Sequence, residues 1–260
     1  DNLHDKQFKN GMWLRIAWPT VANMSSSDYR YVFGTDYDRW PDDIDGEGDG
    51  WTLMGKRTQT FGSRGKVCAE SSPGRVVKDP DWKPTAPHEA PPVGGILGVY
   101  NLSTRERFYW RCPHCAEPFE AAPGLGLFRL PSDDELLDGI KDIDIHKFAQ
   151  QHAGIACHAC GAYIGFDQRA TMSRAGSWLT AGLTMDALGR ISGDPVKSST
   201  AGFWLGGVAA AYQKWPELIS KHLMALKSFS LTGGEQELKT TANLDQGIPY
   251  LSRLLADAGK

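Results

Sequence analysis

Tyr31-Val32-Phe33-Gly34-Thr35-Asp36-Tyr37-Asp38 and Lys66-Val67-Cys68-Ala69-Glu70-Ser71-Ser72-Pro73-Gly74-Arg75 decide how this chain is read. Each stretch opens as a short apolar run and closes in polar residues, and a helical pattern lies between them. Two buried strands joined by a helix form the βαβ unit of an α/β sheet. Ligands of such sheets sit at the carboxyl ends of the strands. Asp36 and Asp38 are therefore expected at a ligand-facing rim, where an acid is suited to holding Mg²⁺ on a nucleotide phosphate. Spacing alone equally suits a buried strand followed by a solvated acidic loop, since Asp42, Asp43, Asp45, Glu47 and Asp49 come next. A calcium loop is excluded. Asp43, Asp45, Glu47 and Gly48 match its first half, but Met54 stands where a bidentate Glu is required.

Between the two runs, Trp51, Met54, Thr58 and Phe61 recur at helical spacing, which predicts an amphipathic helix from Gly50 to Phe61. Gly50-Trp51-Thr52-Leu53-Met54-Gly55-Lys56-Arg57 imitates a phosphate-binding loop until its last position, where Arg57 replaces the Ser or Thr that ligates Mg²⁺. No other Gly-x-x-x-x-Gly-Lys occurs in the 260 residues. Upstream, Gly11 to Trp18 alternates as a strand that Pro19 ends. Downstream, Pro80, Pro84, Pro87, Pro91, Pro92, Gly94 and Gly95 mark a linker over residues 76–98.

The most specific chemical signal is a pair of knuckles, Cys112-Pro113-His114-Cys115 and Cys157-His158-Ala159-Cys160-Gly161. Two residues between cysteines let a tight turn aim both sulfurs at one metal, and Gly161 supplies a position for positive φ. Four thiols make a closed tetrahedral site, hence a structural Zn²⁺ with no open position for catalysis. Such sites contribute about 10–16 kcal/mol of apparent binding energy, enough to fold a small ribbon. Disulfides and a redox Cys-x-x-Cys are the competing readings, and Cys68 is read as a buried strand cysteine. His114, His146, His152 and His158 are read as surface or turn residues rather than ligands. Residues 116–156 separate the pairs, more than the roughly 15–20 of a common ribbon. They hold helices of their own, opened by the capping box Ser132-Asp133-Asp134-Glu135.

After the second knuckle, Met172–Trp178 and Ala201–Leu205 read as short strands, with loop-rich sequence from Ser177 to Ser199. Pro216 starts a helix whose Leu218, Ile219, His222, Leu226 and Phe229 form an apolar stripe, His222 being read as a packed member. A short polar helix follows Gly233-Gly234, and the end from Tyr250 is expected to fray. With 41% hydrophobic and 23% charged residues the chain has the composition of a soluble globular protein. A net charge of −3 advertises neither nucleic acid nor anionic membrane. No apolar run approaches the roughly 18–20 residues of a membrane span, and no signal peptide is present. Four of the five cysteines in paired spacing suit a reducing compartment.

Several segments together resemble the large terminase subunit of lambda-type tailed bacteriophages. They are Thr35–Arg39, Asp45–Gly48, Lys56–Phe61, Ala69–Arg75, Pro87–Pro92, the two cysteine knuckles and Thr241–Leu244, in the family's order over nearly the whole chain. The resemblance implies a DNA-packaging motor, a RecA-like ATPase joined to an endonuclease that cuts concatemeric phage DNA. It implies that this chain holds a partial RecA-like P-loop ATPase core with a Cys₄ zinc-ribbon insertion. Residues 1–98 would be the C-terminal part of the ATPase core, 99–180 the zinc ribbon, and 181–260 a closing strand and helices leading towards a nuclease domain expected to lie outside this chain. On this basis Asp36 falls in the Walker B region, coordinating Mg²⁺ or activating water, and Asp38 lies just beyond it as a second catalytic candidate; Ser71 and Ser72 belong to the coupling motif, and Arg57 and Arg75 are phosphate-facing candidates. Cys112, Cys115, Cys157 and Cys160 hold structural Zn²⁺, while Mg²⁺ and ATP serve the complete protein. Implied partners are double-stranded viral DNA, the small terminase subunit, the portal or procapsid and other subunits of a ring, with no membrane, in the host bacterial cytoplasm. The sequence departs from the family in lacking the phosphate loop, expected upstream of Asp1, and in placing Thr35-Asp36 where Walker B reads Asp-Glu. The nuclease acids are expected beyond Lys260. The chain is thus expected to be the middle of a terminase and inactive as an ATPase alone. The alternative reading is a non-catalytic zinc-ribbon module that binds DNA or a partner subunit.

Overall fold

Apolar runs in this chain become regular structure only where something lies against them, and the first strands show it. The computed structural model describes residues 3–253. They fall into two units divided between Ser71 and Ser72. In the first, Asp5–Gln7 (β1) and Trp13–Arg15 (β2) form an antiparallel hairpin. The expected Gly11–Trp18 strand shortens to those three residues of β2, all exposed, because no core receives its alternate side chains. Val21–Ser25 (α1) follows.

Tyr31–Gly34 (β3) and Lys66–Ala69 (β4) pair in parallel, from Tyr31↔Lys66 to Gly34↔Ala69, with Gly50–Thr58 (α2) between them. The β-α-β order predicted from sequence is therefore present. Asp49 caps α2 by accepting the Thr52 N–H. The helix buries Leu53, Met54 and Thr58 and stops at Thr58, with Phe61 in a following 3-10 turn. Gly34 lets this helix approach: a Cβ there would stand 3.0 Å from the Met54 thioether and 3.1 Å from the Trp40 ring. The other face of the pair is open. Tyr31, Phe33 and Cys68 are exposed, which corrects the expectation of two buried strands and a buried Cys68. Parallel strands bury both faces when helices cover both; here α2 covers one.

The second unit opens with irregular chain and Gly95–Asn101 (α3). Its hub is Glu106–Arg111 (β5). Pro118–Glu120 (β6) and Ser177–Leu179 (β9) pair with it antiparallel, and Phe203–Trp204 (β12) pairs with it in parallel. Asp133–Gly139 (α4) and Ile145–His152 (α5) lie between the knuckles, followed by the hairpin Gly154–Ala156 (β7) and Tyr163–Gly165 (β8). The Ser132 capping box forms as predicted, with the Ser132 side chain on the Glu135 N–H and the Glu135 carboxylate on the Ser132 N–H.

Arg169–Arg174 (α6) takes the first three residues of the stretch expected as a Met172–Trp178 strand, and only Ser177 and Trp178 at its end are strand, in β9. The start of α6 is held by the Arg169 guanidinium, which donates to the carbonyls of Ala210, Ala211 and Gln213, contacts no local pattern reveals. The loop-rich stretch after Ser177 contains β9 and the hairpin Leu183–Met185 (β10) with Ile191–Gly193 (β11). Trp215–Thr232 (α7) carries Pro216 in its first turn, as expected, and Gln236–Thr240 (α8) continues into a π-helical turn, Thr241–Gln246. The core gathers on Trp215, whose ring meets Trp110, Phe128 and Phe166 with centroids 5.6–6.2 Å apart. Its indole N–H donates to the Val208 carbonyl. Tyr250 is buried, and Val77 donates to its carbonyl, so residues 250–253 pack rather than fray. The remainder of that expectation lies outside the described residues.

Candidate functional site

The carboxyl ends of β3 and β4 stand side by side because the pair is parallel and in register, and the chain turns there through Asp36, Tyr37 and Asp38. The three amides of this turn all donate to the end of β4. The Asp36 N–H goes to the Glu70 carboxylate at 3.2 Å, the Tyr37 N–H to the Glu70 carbonyl at 3.0 Å, and the Asp38 N–H to the Ser71 hydroxyl at 3.0 Å. Asp36 takes a left-handed backbone (φ 50°, ψ 43°) and its side chain is exposed, whereas Asp38 is buried. Three residues singled out in sequence, Asp36, Asp38 and Ser71, are thus brought to one rim.

Behind the rim, Tyr37 is buried beside Asp49, and its hydroxyl accepts the Trp51 N–H. Burial, first, and the neighbouring carboxylate hold its phenol above the ordinary range. Burial also pushes the Asp49 carboxyl up, but the N–H and hydroxyl of Thr52 outweigh it and leave the group below its usual value. The acidic loop is closed on itself, Asp43 accepting the N–H groups of Gly46 and Gly48.

Arg57 is not brought to the rim. It ends α2, where its guanidinium donates to the Ser25 carbonyl and its own carbonyl accepts the Tyr29 N–H ahead of β3, at the amino end of the strand. The helix runs antiparallel to the strands it joins, so a residue in its last turn lies away from their carboxyl ends. Ser72 and Arg75 belong to the second unit, and both are half-buried.

The four knuckle cysteines come together. Cys112 and Cys160 sulfurs are 3.9 Å apart, Cys115 and Cys157 are 3.8 Å apart, and all four lie within 4.8 Å of one another. No pair approaches the roughly 2.05 Å of a disulfide. The turns are alike. Each first cysteine accepts, on its carbonyl, the N–H four residues on, Ala116 in one knuckle and Gly161 in the other, both at 2.9 Å. The His114 N–H also points at the Cys112 sulfur. Burial pushes the Cys157 thiol up, but the N–H groups of Cys160 and Ala159 outweigh it and draw the group down to about 6, towards the thiolate a metal requires. The cluster could hold a metal ion, and Cys112 and Cys157 anchor it in the core around Trp110 and Trp215.

Sequence reasoning missed Glu70 as a member of the rim; its signal is its place directly after the strand that pairs with β3. It also missed the partner of His222, read correctly as a packed residue. Asp133, eighty-nine positions earlier in the chain, meets its Nε2 at 2.8 Å, and no spacing rule links the two.

The model of the ATPase domain of the phage terminase large subunit gpA matches residues 1–178, and that of the endonuclease domain of the same subunit matches residues 200–259. The first match contains the acidic rim and both knuckles. The second lies on β12, α7 and α8, so part of the endonuclease match falls within this chain, where it was expected only to lead towards that domain. No curated protein and no solved structure matches the chain. With more than half of its residues matched, the chain belongs to the gpA family of phage terminase large subunits, which package and cut viral DNA.

Proposed function

We propose that the β3–β4 rim serves the Mg²⁺-nucleotide in the ATPase of a DNA-packaging motor. The observation that supports this most directly is the tie between the two strand ends. Asp36 and Asp38 share one turn, and Ser71 holds the Asp38 amide. In this reading β3 and β4 are neighbouring strands of a RecA-like sheet, Asp36 presents its carboxylate towards Mg²⁺ or the attacking water, and Ser71-Ser72 relay a change at the nucleotide to the following chain. Bound Mg²⁺ would offset charge developing on the transferred phosphoryl group. Residues 1–98 then belong to the ATPase core and 99–180 form a zinc ribbon inserted in it, while the chain from about residue 200 opens the endonuclease. Arg75 remains a candidate for phosphate contact; Arg57 serves to tie α2 to α1.

For the four thiols the reading is structural Zn²⁺. A Zn–S bond of about 2.3 Å in a tetrahedron requires sulfurs about 3.8 Å apart, which agrees with the two closest separations. Double-stranded DNA, the small subunit, the portal and further copies in a ring are the partners this function calls for, in the cytoplasm of the infected host. No helix among the described residues is long and apolar enough to cross a membrane.

The test is ATP hydrolysis. In the terminase holoenzyme, Asp36→Ala is expected to lower DNA-stimulated turnover by about a hundredfold or more, the scale of removing one transition-state contact. Unchanged turnover overturns the assignment. By itself the 260-residue chain, which has no phosphate loop in its sequence, is expected to turn over ATP poorly; robust turnover that survives Asp36→Ala would place the nucleotide elsewhere than proposed. Metal analysis finding less than about 0.2 equivalents of Zn²⁺ in purified protein would refute the zinc site.

A further inference from the structure

The three amides of the Asp36–Asp38 turn are received differently. Tyr37 and Asp38 have buried side chains, and their amides end on the Glu70 carbonyl and the Ser71 hydroxyl. Asp36 is exposed, so no packing holds it, and its backbone occupies the left-handed region at φ 50°. That region is disfavoured for residues with a Cβ, though less for Asp and Asn than for others. What holds Asp36 there from across the pair is the Glu70 carboxylate, 3.2 Å from its N–H. Glu70 is itself anchored on both sides, donating its N–H to the Gly34 carbonyl and accepting from Tyr37, each at 3.0 Å. Its main chain therefore has no freedom, and its side chain spans from one strand end to the other.

We propose that Glu70 is a positioning residue for the ATPase reaction, its carboxylate fixing the Asp36 backbone so that the Asp36 side chain projects from the rim towards the metal-nucleotide. This rests on the reading of Asp36 given above. If Asp36 relaxes from the left-handed to the extended region, ψ and φ both change by tens of degrees and the carboxylate leaves the rim. Glu70 acts through the bond it accepts, so reach matters and charge does not. Aspartate at position 70 keeps the charge but is one methylene shorter. Glutamine keeps the reach and an accepting oxygen but loses the charge.

Steady-state ATP hydrolysis by the terminase holoenzyme, with Mg²⁺ titrated at saturating ATP, tests this. Glu70→Asp and Glu70→Ala are expected to lower kcat about five- to tenfold, the scale of one ordinary hydrogen bond, and to raise the Mg²⁺ needed for half-maximal rate. KM for ATP and the thermal midpoint should hold, which a merely structural loss would not allow. Glu70→Gln is expected to retain most of the activity. The reverse order, with Glu70→Asp active and Glu70→Gln as impaired as Glu70→Ala, would overturn positioning in favour of a direct role for the charge. Full activity in all three variants while Asp36→Ala is inactive would remove any role for Glu70 and leave the Asp36 assignment standing. Full activity of Asp36→Ala would overturn both.

Discussion

Ala116 and Gly161 occupy the same place in two matching knuckles, and exchanging their side chains measures what one methyl group costs there. Both residues have left-handed backbones, φ 63° for Ala116 and φ 72° for Gly161. Both donate to the carbonyl of the first cysteine at 2.9 Å. A residue with a Cβ pays roughly 1–2 kcal/mol in that region. Glycine returns roughly 0.5–1 kcal/mol of this through the greater freedom of the unfolded chain. Ala116→Gly should therefore stabilise the knuckle by about 0.5–1 kcal/mol, and Gly161→Ala should destabilise it by a similar amount. No heavy atom lies within 4 Å of a Cβ built on Gly161, so its cost is one of backbone alone. Metal binding and local folding are one equilibrium in such sites. The strain should then appear as a two- to fivefold tighter Zn²⁺ affinity for Ala116→Gly, at about 1.4 kcal/mol per tenfold. Competition with a chromophoric chelator reads this directly, and the double variant should return near the parent. Weaker binding by Ala116→Gly, or no change in either single variant, would refute the reasoning.

Other consequences reach the second unit. Trp215 is fully buried at the centre of its aromatic cluster, so Trp215→Ala should cost about 3–5 kcal/mol; a urea midpoint within about 1 kcal/mol of the parent would count against that core. Gly207 lies against the Asp245 main chain, where a Cβ would stand 1.8 Å from the carbonyl oxygen. Gly207→Ala should thus destabilise by about 1–3 kcal/mol and speed limited proteolysis near the π-helical turn, and unchanged cleavage would disprove the close approach. Burial raises the Asp133 carboxyl, but the bond to His222 and the Arg253 charge outweigh it and hold the group below its usual range. A depressed folded pKa contributes stability that is present above the unfolded value of about 3.9 and lost as pH falls through the folded one. Asp133→Asn should therefore destabilise at pH 7, and the gap to the parent should narrow as pH falls below about 4. A gap that stays constant down to the acid limit of folding would exclude this linkage.

Part of the architecture was legible because its cause is local. Ser132 and Glu135 satisfy each other's amides within one turn, Pro216 suits only the start of a helix, and Cys-x-x-Cys aims two sulfurs without help from distant residues. The strand expected at Met172–Trp178 forms only at its end, because Arg169 anchors a helix over its start through carbonyls some forty residues away. Tyr250 read as a fraying end because its partner, Val77, lies far earlier in the chain. That Gly34 is the gap that admits Met54 follows only from the packing of α2 on β3.

From sequence alone came the thiol ligands, the order of strand and helix around the acidic turn, and the kinship with phage terminases, all carried by residues near one another in the chain. The tertiary structure decided that four sulfurs from two distant knuckles meet, that Arg57 faces away from the rim, and that Glu70 reaches Asp36. Those outcomes depend on pairing and register between segments far apart in the chain. A pattern within a dozen residues carries no term for that distance.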